Sequence, residues 1–360
     1  MDKKHILIAT AIISILTSCQ KKEQKKEVPK KNTVEEIVIS DDEDPGNKID
    51  YDKTKVLETL YVIDRNGTEI KDQANQNSKT LGKYEYGQKL DVIEINQNWL
   101  GVMDRITREY TRKDGTQVTS SGWEKIYVAR KAAGPISQVY LIQSDLNIIT
   151  YLTKNQKTDF FEKGKPLNND LKIELIDQKL FDSKKNTSVS FLTADTTEIK
   201  KTNGIIELKC INKTKKFIDK PDAEEDRAEY KYVGQIDFLN KYVIAGSYYE
   251  SSDYTFVDKT TGENTSSFGE YPVISPDKKY IISIYANPYE STGDLELYRI
   301  NNNKIDHVLN ASFKNWMPAE DLFWSTDGYL YVAVNGTSSY WTENGSLNDH
   351  YQYLRIKVLP

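Results

Sequence analysis

Cysteine and histidine are almost missing from this chain. Among 360 residues only Cys19 and Cys210 are cysteine, and only His5, His307 and His350 are histidine. Two distant cysteines give no disulfide framework. The histidines stand outside any ligand spacing, so no zinc motif arises and no metal is expected. A Gly-x-Ser-x-Gly elbow, a phosphate loop and a Gly-rich dinucleotide turn are all lacking, so no cofactor and no catalytic residue is assigned. An excess of positive charge is lacking too. Lys+Arg number 49 against 54 Asp+Glu, for a net charge of −5, and no basic stripe runs along the sequence. That excludes nucleic acid as an expected partner. Beyond residue 19 no apolar run approaches the ~20 residues needed to cross a bilayer.

What is present begins at the amino terminus. Lys3, Lys4 and His5 precede the apolar run Ile6 to Ile15, which is followed by Leu16-Thr17-Ser18-Cys19. A charged start, a short apolar stretch and small residues are the parts of a secretory signal over residues 1–18. Leu16-Thr17-Ser18-Cys19 also resembles the bacterial lipobox. The resemblance implies cleavage before Cys19, a diacylglyceryl thioether on its sulfur and an acylated amino group. Several acyl chains hold firmly, because each buried methylene contributes ~0.8 kcal/mol. The membrane, reached through this lipid anchor, is therefore an expected partner. The expected location is the cell envelope, with the outer membrane favoured. Gln20-Lys21-Lys22-Glu23 looks like the charged export label of surface-displaying bacteria, which leaves surface display open.

Residues 19–50 are dense in Lys, Glu and Asp and contain no aromatic residue. Such a segment buries too little apolar area to offset its ordering entropy and reads as a disordered tether. Asp41-Asp42-Glu43-Asp44 lacks the alternating ligands and closing Glu of a calcium loop, so it reads as solvated linker.

The remainder reads as all-β. Tyrosine is abundant, at 24, with 10 Phe and 5 Trp, and aromatic residues suit half-buried pleated surfaces. Between 57 and 130, strands are expected at Leu60–Ile63, Thr80–Tyr84, Tyr86–Ile95, Trp99–Met103 and Gly122–Val128. Asp114-Gly115 marks a hairpin turn. Ile70, the run Ser78 to Gly82, Gly87, Asn98-Trp99 and Gly122-Trp123 with Tyr127 resemble, in order and spacing, the pattern of bacterial SH3-like domains. The resemblance implies a small barrel that binds cell-wall peptides or protein segments without catalysis, in a shallow aromatic groove. Trp99, Trp123, Tyr84 and Tyr86 are the candidate groove residues. Trp123 reads more readily as core, and Trp99 fits either role. The family's Asn-Val-Arg stretch is Lys71-Asp72-Gln73 here, and the Asp104–Ser121 insert is longer than usual.

Lys131-Ala132-Ala133-Gly134-Pro135 reads as a joint to a second domain over 139–360. Strands are expected at Val139–Ile142, Ile148–Leu152, Leu171–Ile176, Ser188–Leu192 and Gly204–Ile211, and a charged loop at Pro221–Glu229. Three similar units follow: Gly234–Ala245, Val273–Ser283 and Leu322–Ala333. Each is a strand, a polar turn and a more apolar strand. Each is succeeded by a Tyr-rich strand, at Tyr254–Val257, Leu295–Ile300 and Tyr351–Ile356. Their spacing and their Ser-Pro-Asp and Ser-Thr-Asp-Gly turns resemble β-propeller repeats. An open multi-sheet β domain is the competing architecture. Cys210 lies in a strand pattern and reads as a small apolar residue rather than a nucleophile.

These features point to a lipid-anchored, non-catalytic recognition protein of the envelope, with peptidoglycan or an envelope protein as partner. Two alternatives stand beside it: a hydrolase with its site on the propeller-like face, and an immunity- or assembly-type protein that binds a folded partner.

Overall fold

The computed structural model describes residues 44–360 except Glu224. The expected signal at 1–18, the lipid site Cys19 and the tether up to residue 43 lie outside the described residues. Strands dominate, as the alternation requires. The first sheet is built from β1 (Glu58–Val62), β2 (Thr68–Lys71), β3 (Thr80–Tyr84), β4 (Lys89–Ile95), β5 (Trp99–Thr111), β6 (Gln117–Ala129) and β7 (Ala133–Gly134). Their order is β3-β2-β6-β5-β4-β1-β7, all antiparallel, and the outermost strands β3 and β7 do not pair. The strands thus do not close into a ring, and of the small barrel expected from the sequence only an antiparallel β-sheet is shown. Inward residues alternate along the strands, and Val62, Leu90, Val92, Leu100, Val102, Ile126 and Val128 form its core.

The long insert is the outer half of a hairpin. β5 and β6 pair without interruption from Trp99↔Ala129 to Thr111↔Gln117. At its tip the Asp114 carboxylate accepts from the Thr116 amide at 2.9 Å, and Gly115 adopts φ 88°. Asp-Gly supplies the left-handed backbone that such a turn needs.

Three expectations change here. The joint at 131–135 is part of the first sheet, because Ala133 and Gly134 pair with Val62 and Tyr61. Val139–Ile142 is not a strand; it is an irregular link whose Leu141 side chain is buried. The tether ends before residue 50. The Lys125 amide donates to the Asn47 carbonyl at 2.9 Å, and the Ile49 amide donates to the Trp123 carbonyl at 3.0 Å. The backbone of residues 47–49 supplies the partners that the outer flank of β6 would otherwise lack.

The rest of the chain forms further antiparallel sheets. Its elements are β8 (Ile148–Lys154), β9 (Lys157–Pro166), β10 (Leu171–Ile176), α1 (Gln178–Lys185), β11 (Ser188–Val189), β12 (Ile205–Lys209) and β13 (Thr214–Ile218). They continue with β14 (Ala228–Ile236), β15 (Lys241–Tyr248), β16 (Ser252–Asp258), β17 (Asn264–Phe268), β18 (Val273–Ile274) and β19 (Tyr280–Asn287). The last are β20 (Thr292–Asn301), β21 (Lys304–Phe313), β22 (Trp316–Ser325), β23 (Leu330–Gly336) and β24 (Gln352–Val358). The sheets run β14-β15-β16-β17, β18-β19-β20-β21-β8-β9 and β10-β24-β23-β22-β11, beside the hairpin β12-β13. The charged loop expected up to Glu229 ends earlier, since β14 begins at Ala228.

The three similar sequence units fall on the opening turn and second strand of three consecutive meanders. In each, the turn is closed by an amide donating three residues back: Asn240 to Asp237, Lys278 to Ser275 and Gly328 to Ser325. All three donors are left-handed, at φ 56°, 58° and 79°. One backbone conformation is therefore met by three residue types, and glycine meets it at least cost.

The helix α1 was not expected. Asp177 caps it, accepting from the Leu180 amide at 2.7 Å. Its Phe181 is buried against Phe323, Tyr331 and Tyr353. Trp316 and Trp324 anchor the largest core, and their indole N–H groups donate to the carbonyls of Leu146 and Val273 at 2.8 and 3.3 Å. A buried indole needs such an acceptor. No helix among the described residues is long and apolar enough to cross a membrane. Residues 45–360 constitute one compact unit that contains both expected domains.

Candidate functional site

The four aromatic residues singled out in the sequence occupy four different places. Tyr84 ends β3 and is only 3% exposed. Its hydroxyl donates to Asp104, and burial, aided by that carboxylate, holds the phenol well above its ordinary pKa. Tyr84 is thus a core strut and lines no groove. Its place in the strand faces the core side of a sheet that alternates in and out.

Tyr86 is half-buried and joins the first sheet to the link that follows it. Its hydroxyl accepts from the Tyr140 amide at 2.7 Å and donates to the Tyr140 carbonyl at 3.0 Å. The Arg65 guanidinium stacks 3.9 Å over its ring and pairs with Asp145 at 2.8 Å. Burial raises the phenol's pKa. A hollow of about 600 Å³ opens here, between Arg65, Tyr86 and Ser338.

Trp123, read more readily as core, is 37% exposed. It lies on the flank of β6 and stacks on Tyr51 with ring centres 4.4 Å apart and planes at 31°. Tyr51, which covers it, lies just past the segment read as tether, where no element is expected from the sequence.

Trp99 opens β5 and is half-buried. It lines a hollow of about 730 Å³ bounded by Asn75, Gln76, Gln97, Asn98 and Arg130. Three backbone segments converge to build it. The 96–98 turn is closed by the Asn96 amide donating to the Trp99 carbonyl at 2.9 Å. The Arg130 amide donates to the Asn98 carbonyl at 2.9 Å, which holds the end of β6 against that turn. The 73–78 loop is tied by Ser78 Oγ donating to the carbonyls of Gln73 and Asn75, at 3.1 and 2.9 Å. An indole surrounded by carboxamides and a guanidinium offers a stacking face together with hydrogen-bond donors and acceptors. The replaced stretch Lys71-Asp72-Gln73 contributes elsewhere: Lys71 donates to Thr80 at 2.8 Å, and Asp72 pairs with Arg108 at 2.5 Å.

A second hollow of about 730 Å³ lies over β20 and was missed in the sequence. Asp294, Glu296, Tyr285, Tyr151 and Phe160 line it. Burial is the main cause that raises both the Glu296 carboxyl and the Tyr285 phenol above their ordinary pKa values. The alternation Asp294-Leu295-Glu296-Leu297 signals that both acids share one face of a strand. Nothing local tells which strands lie beside them.

Cys210 follows β12 and is half-buried, with its thiol donating weakly to the Leu208 carbonyl at 3.8 Å. Burial pushes its pKa up, away from the thiolate form that a nucleophile needs. No cluster of three or more potential metal ligands occurs among the described residues.

No family model, no curated protein and no solved structure matches this chain.

Proposed function

We propose that this protein is a non-catalytic recognition module, held at a bacterial envelope by lipid on Cys19, that binds wall-derived peptide or glycan at the Trp99 hollow. The reading rests on one observation above all: a half-exposed indole set among Asn75, Gln76, Gln97, Asn98 and Arg130. Apolar surface beside neutral amide groups suits sugar rings and peptide backbones, which combine a flat apolar face with hydrogen-bonding edges. The order of Gly and Trp along 57–130 supports the SH3-like reading of the first sheet. The recurrence of one turn geometry in three meanders supports the propeller-like reading of the C-terminal region.

The test is a titration of the soluble protein, truncated before residue 44, with purified peptidoglycan fragments. Trp99→Ala should weaken binding at least about tenfold, as expected for a Trp at the centre of a contact. The melting temperature should stay close to that of the parent, and the fragments should be recovered at unchanged mass. Undiminished binding by a folded Trp99→Ala protein would sink the assignment, and fragment cleavage would favour a hydrolase.

A further inference from the structure

We infer that the hollow over β20 is a second binding site, built to take an alkylammonium group such as a lysine-type side chain or a free peptide amino terminus. The strand register carries this inference. Tyr285 of β19 is opposite Asp294 of β20, Asp294 is opposite Ser312 of β21, Ser312 is opposite Tyr151 of β8, and Tyr151 is opposite Phe160 of β9. One row across five strands thus reads Tyr-Asp-Ser-Tyr-Phe. The neighbouring row on the same face reads Ser283, Glu296, Asn310, Thr153 and Thr158.

Adjacent strands lie ~4.8 Å apart, so the backbones bearing Asp294 and Tyr151 are separated by roughly 10 Å. Between them stands Ser312, whose small side chain leaves the space open. A cation placed over Ser312 would have a carboxylate on one side, an aromatic ring on the other and the Glu296–Asn310 pair next to it along the strands. Tyr151 and Phe160 meet edge to face at 5.3 Å, which extends the aromatic wall. The Phe160 ring, 78% exposed, carries this wall out to the rim of the hollow. On the opposite side, Gly269 lies so close to Tyr285 that a Cβ there would collide with the ring. Gly269 therefore permits the position that Tyr285 takes at the rim.

The charges agree with the geometry. Asp294 accepts from Thr292 Oγ1 at 2.8 Å and from Asn287 Nδ2 at 3.0 Å. Glu296 accepts from the Gly269 amide at 3.4 Å. All these donors are neutral, so they orient the two carboxylates without neutralising them. Lys314 is the basic residue on the lining, and Glu290 adds a third acid. Rings beside carboxylates in a partly desolvated hollow attract a cation more strongly than either group alone in water.

The test uses N-acetyl-lysine methylamide and its neutral counterpart, N-acetyl-norleucine methylamide, titrated into the soluble protein and followed by NMR. The lysine probe should bind at least about tenfold more tightly and shift resonances of the Tyr285–Phe160 row. A dipeptide amide with a free amino terminus and no basic side chain distinguishes the two sources of ammonium. Asp294→Asn and Phe160→Ala should each weaken the lysine probe severalfold, while Trp99→Ala leaves it unchanged, which separates this site from the Trp99 hollow. Should Asp294→Asn fail to fold, the exposed Phe160→Ala carries the comparison alone. Equal affinity for the two probes, or lysine binding indifferent to Phe160→Ala, would overturn the inference.

Discussion

Arg108 grips Glu124 at two points inside the β5–β6 hairpin. Its Nε lies 3.0 and 2.9 Å from the two carboxylate oxygens, and its Nη2 lies 2.7 Å from Oε2. Glu124 is fully buried and Arg108 is 5% exposed. Asp72 shares the guanidinium, and Lys48, from the segment that covers β6, stands 3.6 Å from Glu124.

Removing one member of a buried pair leaves the other charged and poorly solvated, at a cost of about 3–5 kcal/mol. Glu124→Ala should therefore lower the urea midpoint strongly, whereas Lys48→Ala, at the half-exposed end of the network, should cost less than about 1 kcal/mol. Equal effects of the two substitutions would contradict the ranking.

Acid should weaken the protein through Asp258. The Lys241 ammonium, 2.7 Å away, and the amides of Thr260 and Thr261 lower its pKa to about 2. A depressed carboxyl contributes stability above its unfolded value near 4, and that contribution disappears as the pH falls from about 4 toward 2. For this partly exposed pair we expect about 1–2 kcal/mol. Asp258→Asn should flatten that part of the stability-versus-pH curve, and an unchanged acid limb would refute the assignment.

Phe181 is the residue that docks α1. Phe181→Ala should cost about 3–5 kcal/mol, because the ring is fully buried among three other aromatics. Asp177→Ala removes only the helix cap and should cost about 1 kcal/mol. Thermal denaturation of the two variants distinguishes packing from capping.

Cys19→Ala should move the full-length protein from the membrane pellet to the soluble fraction while its sheets remain folded by circular dichroism. Persistence in the pellet would contradict the lipid attachment proposed at this cysteine.

Local signals in the sequence proved readable, and long-range ones did not. Asp114-Gly115, Ser275-Pro276-Asp277 and Asp327-Gly328 each specify a turn through side chain and backbone angle alone, and each turn is present. In the second of them, Ser275 Oγ accepts from the Lys279 and Tyr280 amides at 3.2 and 2.9 Å. By contrast, Ala133-Gly134 reads as a break, yet it is held as an edge strand by β1, some seventy residues earlier. Asn47 to Ile49 read as solvated, yet their backbone completes β6. Trp123 looked like core for want of any sign that Tyr51 would cover it. The candidate sites divide in the same way. Trp99 was visible as an aromatic beside a turn, whereas the Tyr-Asp-Ser-Tyr-Phe row exists only once five strands have found their register.

The place of β24 has a consequence for the order in which the sheets can form. β24 sits between β10 and β23, pairing Leu171 with Val358 on one side and Leu330 with Ile356 on the other. Its Leu354 and Ile356 belong to the largest core. A polypeptide emerging amino end first cannot finish that core until β24 has followed β10 out. Loss of β24 should leave β10 unpaired and the Trp324 layer open. Closure of this sheet thus waits on a strand that lies far along the chain from its neighbour β10, whose register it sets.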